Sequence, residues 1–130
     1  MELCKSSLST GAVIRAILLE DKTVASRVGK VYPIVADSAE LPYIVYRRAA
    51  LEPTPSKSGM PVSDHIEMEL QCCTADYGEG VELAEAVRMA LDHVSAEHDG
   101  QRMRACTLIG AEEDYQEDAF IQKLTFDIKI

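Results

Sequence analysis

Two neighbouring segments in the middle of the chain follow different hydrophobic periods, and together they restrict the possible folds strongly. From residue 65 to 73, apolar and polar side chains alternate, which is typical of a strand with one buried face. From residue 76 to about 96, apolar side chains recur every three or four positions, as in an amphipathic helix. Asp76 is the expected N-cap of this helix, with Glu79 placed as in a capping box. The chain must therefore combine a half-buried sheet with packed helices.

The remaining elements complete an α+β pattern. We expect a helix over residues 8–19, a short helical turn over 22–28 that ends at Gly29, a brief extended piece at 31–32, and strands over 42–49, 102–110 and 120–130. Because the strands do not alternate one for one with helices, the order predicts two layers. The expected fold is a mostly antiparallel sheet of four to five strands with two helices on one face, in a single domain of residues 1–130. The other face is left for solvent or a partner.

Two segments read as loops rather than as regular structure. Residues 52–61 contain three prolines, a glycine and polar filler, so we expect a mobile loop at about 51–61. Residues 112–118 contain five acids after the strand at 102–110, and we expect a turn there. The helix at 76–96 is expected to stop at Gly100.

Charge is unevenly spread along the chain and argues against nucleic-acid binding. The 130 residues carry 22 acidic and 13 basic side chains, a net charge of −9. Phosphate backbones are bound by clustered cations, so we expect no specific binding of nucleic acid. Residues 1–61 carry a net charge of +2 and residues 62–130 a net charge of −11. An acidic surplus of this kind is typical of a solvated face that aids solubility.

The remaining composition points to a chain that works inside a cell. The longest unbroken apolar run, residues 16–19, is too short to span a membrane, and residues 1–6 lack the apolar region of a secretory signal. Four cysteines are present without a C-x-x-C pair, so we expect reduced thiols in a cytoplasmic compartment. Because Cys72 and Cys73 are adjacent in a predicted strand, they should point to opposite faces.

None of the reactive side chains forms a convincing catalytic, metal or cofactor pattern. Asp64 and His65 open a strand, where neighbours point apart, so a Cys–His nucleophile is disfavoured. His93 and His98 do not share a helix face. Residues 112–118 lack the spacing of a calcium loop. Gly78 and Gly80 lack the strand-turn context of a phosphate loop. We therefore predict no enzyme activity, no metal and no cofactor.

Several short strings follow one another along the chain in a fixed order and spacing. They are Gly29-Lys30-Val31-Tyr32-Pro33, Leu41-Pro42-Tyr43-Ile44-Val45-Tyr46, His65-Ile66-Glu67-Met68-Glu69-Leu70, then Thr74 and Tyr77 before a helix with Leu83-Ala84, Val87-Arg88 and Leu91, and finally Asp114-Tyr115 before a strand that ends Phe126-Asp127-Ile128. Their order and spacing resemble a family of tail-completion proteins of tailed bacteriophages and prophages, which are small head-tail joining proteins similar to the tail terminators. The resemblance runs from about residue 14 to 130. The paired cysteines at 72–73 and the glycines at 78 and 80 depart from it.

The resemblance implies an α+β structural protein without a catalytic site. It implies assembly in the host cytoplasm into a ring of identical copies, a hexamer, at the head-proximal end of the virion tail. The implied partners are other copies of the chain, the tail tube protein and head-tail connector proteins, with no membrane. Two alternatives remain open: another connector or minor tail component such as a stopper, and a small enzyme or ligand-binding domain of the same α+β build.

The surface that would carry such assembly is predicted from exposed strand faces and from charge. Glu67, Glu69 and residues 112–118 are candidates to line an acidic passage in which DNA slides, because adhesion to phosphates needs cations. The candidate interface residues are Tyr43, Val45, Arg47, Arg48, Glu67, Glu69, Glu112, Glu113, Asp114, Glu117 and Asp118.

Overall fold

A five-stranded sheet with helices on one of its faces makes up most of the chain. The computed structural model describes residues 7–28, 30–35, 40–55, 61–98 and 100–130. After a 3-10 turn at Ser7–Ser9, the helices are α1 (Thr10–Glu20), α2 (Lys22–Arg27) and α3 (Tyr77–Leu91). The strands are β1 (Val31–Pro33), β2 (Tyr43–Pro55), β3 (Pro61–Thr74), β4 (Ala96–His98), β5 (Gln101–Met103), β6 (Ala105–Gln116) and β7 (Ala119–Lys129).

The strand order in the main sheet is β1-β2-β3-β7-β6, and only the β1–β2 pair is parallel. Strands β4 and β5 form a separate two-stranded hairpin. A mostly antiparallel sheet with helices gathered on one side is the α+β architecture that the sequence predicts. That prediction is confirmed.

The core lies between the helices and the face of the sheet that they cover. The alternating apolar residues of β3 and the apolar stripe of α3 both face this core, as their hydrophobic periods predict. Burying each large apolar side chain contributes about 1.5–3 kcal/mol, so this single layer supplies most of the folding energy. Its fully buried large members include Ile14, Leu18, Ile44, Ile66, Met68, Leu70, Leu83, Leu91, Phe126 and Ile128.

The short helix α2 begins where the sequence predicts, and its start has a side-chain cap. The carboxylate of Asp21 accepts a hydrogen bond from the backbone N–H of Val24 at 3.0 Å. This bond satisfies one of the donors that the first turn of a helix leaves unpaired. The predicted stop at Gly29 lies outside the described residues.

Helix α3 begins as predicted and ends earlier than predicted. Asp76 accepts a hydrogen bond from the N–H of Glu79 at 3.0 Å, which confirms the N-cap. The helix ends at Leu91 rather than near residue 96. Past that point the N–H of His93 donates to the carbonyl of Cys106 at 2.7 Å. This hydrogen bond to β6 takes the place of the next hydrogen bond within the helix. Gly100, the predicted helix stop, lies instead in the turn between β4 and β5, where its φ is +81°.

The loop predicted at about 51–61 is wrong over residues 51–55, because β2 runs through Pro55. Strand β3 starts at Pro61, and residues 56–60 lie outside the described part. Proline is tolerated here because β1 covers the outer edge of β2 only at residues 44–46. Beyond them that edge has no strand partner among the described residues. In the register between β2 and β3, which contains one bulge before Pro53, the nitrogen of Pro53 faces this free edge and not β3. Because no described strand would accept a hydrogen bond there, the missing N–H of proline costs the sheet nothing.

The predicted acidic turn at 112–118 is also wrong over most of its length. Strand β6 continues through Gln116, and only Glu117 and Asp118 form the turn to β7. Their φ values of 50° and 64° are those of a tight hairpin turn with two left-handed residues. The acids before them lie in an exposed edge strand, where solvent reaches both side-chain rows. Such a strand has no buried alternation by which its sequence could be recognised.

Candidate functional site

The side of the sheet that faces away from the helices is the candidate site, and we call it the open face. Its members are the residues of each strand that alternate with the core residues, placed in rows by the strand register. They are Tyr43, Val45, Arg47 and Glu52 of β2, His65, Glu67, Glu69, Gln71 and Cys73 of β3, Ile121, Lys123, Thr125, Asp127 and Lys129 of β7, and Thr107, Glu112, Asp114 and Gln116 of β6.

One end of the open face is apolar and slightly hollow. A cavity of about 530 Å³ lies there between the start of β2, the end of β3 and the β6–β7 turn. Tyr43 and Tyr32 pack edge to face on this side, with ring centroids 6.1 Å apart. At the rim, Ile34 and Val35 leave 72% and 65% of their surface exposed. Ile34 also has a φ of 65°, an unusual conformation for a β-branched residue. Apolar side chains held out in this way are typical of contact surfaces.

The sequence indicated only part of this apolar end. Tyr43 and Val45 are among the predicted interface residues, and both are half-buried. Ile34 and Val35 were missed, because they fall between a strand and a loop and share no periodic pattern with the core. A pair of β-branched residues directly after Pro33 is the one local signal that points to them.

The rest of the open face is charged, with an excess of carboxylates. Across the register the face carries six carboxylates and three Lys or Arg side chains. Arg47 reaches Glu69 at 3.4 Å, and Nδ1 of His65 lies 3.6 Å from Asp127. Exposed ion pairs of this kind contribute about 0–1 kcal/mol each. Because they contribute so little, these groups remain available to a charged partner surface.

Seven of the eleven predicted interface residues lie on the open face, and four do not. Arg48 lies on the helix side, where its Nη1 donates to the carbonyl of Leu8 at 2.9 Å. Glu117 and Asp118 lie in the β6–β7 turn. Arg48 points away from its neighbour Arg47 because adjacent residues in a strand face opposite sides. The seven on the open face are Tyr43, Val45, Arg47, Glu67, Glu69, Glu112 and Asp114.

Glu113, the fourth of these, is tied into the helix side of the sheet. Its carboxylate accepts hydrogen bonds from Nε2 of Gln122 at 2.7 Å and from the hydroxyl of Tyr77. These bonds, that from Gln122 first, lower the pKa of Glu113. Glu113 therefore does not share a surface with Glu112 and Asp114, although all three are candidates to line the passage.

The thiols and His65 do not converge. Cys72 is buried beneath the helices and Cys73 belongs to the open face, so the predicted split of the pair is confirmed. His65 and Cys73 share the open face but stand eight residues apart on β3, about 26 Å at 3.3 Å per residue. Burial raises the pKa of Cys72 above its usual range and that of Cys106 to about 12. Thiols in such surroundings are unreactive.

Neither a metal centre nor a spanning helix stands out in the described parts of the chain. Within those parts, no group of three or more His, Cys, Asp or Glu residues comes together so as to hold a metal ion. His93 lies just past the end of α3 and His98 in β4, both exposed. None of the described helices has both the length and the apolar character needed to cross a bilayer.

Comparison with known proteins agrees with this architecture and assigns the family. The fold resembles a chain from a structure described as the virion of a native gene transfer agent particle, with a TM-score of 0.80 and 20% identity over 95% of this chain and 98% of that one. It also resembles the gp17 protein of bacteriophage SPP1, with a TM-score of 0.61 and 16% identity over 100% and 96% of the two chains. No curated protein sequence matches significantly. The family model for tail completion protein gp17 matches residues 12–130, nearly the whole chain, and the chain therefore belongs to that phage tail completion family.

Proposed function

We propose that this structural tail completion protein forms a closed ring of identical copies at the head-proximal end of the virion tail. There it caps the tail tube and offers the surface on which the filled head docks. The observation that carries the proposal is the family match over residues 12–130. The likeness to a chain of a gene transfer agent virion supports it, because that chain belongs to an assembled particle. Assembly takes place in the host cytoplasm.

A ring built from one kind of subunit needs two different patches on each copy that fit each other. The charge asymmetry supports such a contact, since residues 1–61 carry +2 and residues 62–130 carry −11. Unlike patches attract and like patches repel, so this arrangement favours head-to-tail contacts over face-to-face dimers. The ring we propose is a hexamer.

The open face is proposed to line the passage through the ring. Its carboxylates outnumber its cations, and Glu67 and Glu69 stand in neighbouring rows of β3 with Glu112 and Asp114 on the outer strand β6. A negatively charged wall does not bind phosphates, so DNA passes without adhering. The carboxylate of Glu69 is held by Arg47 at 3.4 Å and by Nε2 of Gln71 at 3.2 Å.

The apolar end of the open face is proposed to contact the tail tube protein or the head-tail connector. The exposed side chains of Ile34 and Val35 stand at the rim of the cavity. Exposed apolar side chains beside a depression are suited to receiving a partner's side chains.

The decisive experiment compares tails assembled with and without this chain by negative-stain electron microscopy. We expect tails of variable, uncontrolled length and few head-tail joints when the chain is missing. Adding the purified chain during assembly should restore a defined length. Tails of normal length that join heads without the chain would contradict the proposal. An antibody to the chain should label the head-proximal end, and label elsewhere on the tail would favour another tail role.

A further inference from the structure

The outer edge of β6 is open along its second half. Near its start this edge is closed, because Asp92 accepts from the N–H of Leu108 at 3.0 Å and Cys106 accepts from the N–H of His93 at 2.7 Å. From residue 110 to 116 the strand pairs with β7 on its inner side, and no other described strand pairs with its outer side. Of the outward groups, the N–H of Tyr115 donates to Oδ1 of Asp114 at 2.7 Å. A strand edge with unpaired backbone groups is a template for another strand.

The opposite side of the sheet offers a second open edge. Strand β1 covers β2 only as far as Tyr46, where the N–H of Ile34 donates to the Tyr46 carbonyl at 2.8 Å. From Arg47 onward the outer edge of β2 has no strand partner among the described residues. Pro53 removes a donor from this edge, so the segment suited to pairing runs from Arg47 to Glu52.

Where their charges cluster, the two open edges carry opposite charge on both faces of the sheet; Glu52, the acid of the β2 segment, lies at the far end of that segment from the arginines. Arg47 lies on the open face and Arg48 on the helix side of β2. On β6, Glu112 and Asp114 lie on the open face and Glu113 on the helix side. When two strands join edge to edge the faces of the sheet continue, so acids meet arginines on each side. Pairing of β6 with another β6 would instead place acids against acids.

Strand direction also favours this match. Within the sheet, β2 and β7 run one way while β3 and β6 run the other. Copies related by rotation about an axis along the strands keep these directions. The β6 strand of one copy therefore arrives antiparallel to the β2 strand of the next, which is the more stable way for two strands to pair.

We infer that neighbouring copies join by edge-to-edge strand pairing, with residues 110–116 of β6 antiparallel to residues 47–52 of the adjacent copy's β2. This rests on the ring assembly proposed above and specifies its contact. The partner is a second copy of this chain, and charge complementarity on both faces selects it. The result is a sheet that continues from one copy into the next around the ring.

Hydrogen exchange on the unaltered protein tests the pairing directly. The register turns the backbone amides of Ala111 and Glu113 to the outer edge, whereas those of residues 110, 112, 114 and 116 already face β7. The two outward amides should exchange at least about tenfold more slowly in purified tails than in the free chain, because pairing removes them from solvent. The core amides of α3 serve as the internal control and should not change between the two samples. Unchanged exchange of the two outward amides in tails that contain the chain would overturn the inference, yet leave the tail completion role intact.

Charge reversal tests the partner assignment through the amount of chain retained in purified tails. We expect the pair Arg47→Glu and Arg48→Glu to lower retention by about tenfold, and the pair Glu112→Lys and Glu113→Lys to do the same, since each pair reverses one charge on each face of the sheet. All four changes in one chain should restore retention to within about threefold of the original, because the attraction is re-formed with its signs exchanged.

A matched control is the pair Arg102→Glu and Arg104→Glu, which changes the same charge at exposed residues of another region. Its retention should equal that of the original chain, and circular dichroism should show that every variant folds. The edge contact is refuted if either pair of reversals leaves the chain retained like the original. It is also refuted if the variant with all four substitutions is retained no better than the variants with one pair. Absence of the original chain from purified tails would instead refute the proposed function.

Discussion

Replacing Gly80 with alanine tests how closely α3 approaches the end of β3. Gly80 is buried in the first turns of α3, and a Cβ at this position would stand 2.8 Å from Oγ1 of Thr74. The hydroxyl cannot move freely, because Thr74 is buried and donates to the carbonyl of Asp76 at 2.7 Å. The added methyl must therefore displace the helix or break that hydrogen bond.

The expected loss of stability combines two unfavourable contributions and one favourable contribution. Overpacking a buried contact costs about 1–3 kcal/mol, and loss of the Thr74 hydrogen bond costs about 1 kcal/mol. The gain in helix propensity from glycine to alanine offsets about 1 kcal/mol. We therefore expect Gly80→Ala to lower the free energy of unfolding by about 1–3 kcal/mol. In a Thr74→Ala background the obstacle is gone, and the same change should raise stability by up to about 1 kcal/mol.

The assay is a double-mutant cycle by urea unfolding of the original chain, each single variant and the double variant. A loss of 1 kcal/mol corresponds to about 3–5 °C in melting temperature for a chain of this size. The sign of the Gly80→Ala effect should reverse between the two backgrounds. Equal effects in both backgrounds, or a stabilised Gly80→Ala single variant, would show that the close approach to Thr74 does not limit this helix.

Three further predictions concern the core, the acid response and the thiols. Phe126→Ala should lower the free energy of unfolding by about 3–5 kcal/mol in urea titrations, because the ring is fully buried. The bond from the Leu108 N–H is the main cause that lowers the pKa of Asp92 below its ordinary value of 3.8. The stability from this bond is present above pH 3.8 and lost as the pH falls through the lowered pKa, so Asp92→Asn should show a weaker loss in acid unfolding. In the native chain, a thiol reagent should modify Cys73, beside the cavity, before the fully buried Cys72, as mass spectrometry of digests would show.

The periodic elements of this fold could be predicted from the sequence because their period reports burial directly. Strand β3, helix α3 and strand β7 each have one face against the core, and the alternation or stripe of apolar residues shows it. The N-cap at Asp76 was equally predictable, since a cap depends on the residue itself and on the next three positions. Local physics is sufficient for such features.

The ends of the long strands could not be predicted, because they depend on what lies across the ladder. Pro53 would break a central strand, but only the strand order shows that its nitrogen faces a free edge. The acidic residues of β6 were predicted to form a turn because this exposed part of the edge strand has no buried side chains, and so its sequence lacks the apolar alternation of a strand. Helix α3 stops at Leu91 because β6, distant in sequence, offers a backbone acceptor to His93.

The sequence alone determined the fold class, the buried faces of the main elements and the resemblance to a family that works by assembly. Only the tertiary structure decided which charged residues share a surface, since Arg47 and Arg48, or Glu112 and Glu113, are adjacent in the chain yet face opposite sides of the sheet. It also decided which strand edges stay open. The physical reason is that burial is a property of each residue's own chemistry, whereas a surface forms from residues that only strand pairing brings together.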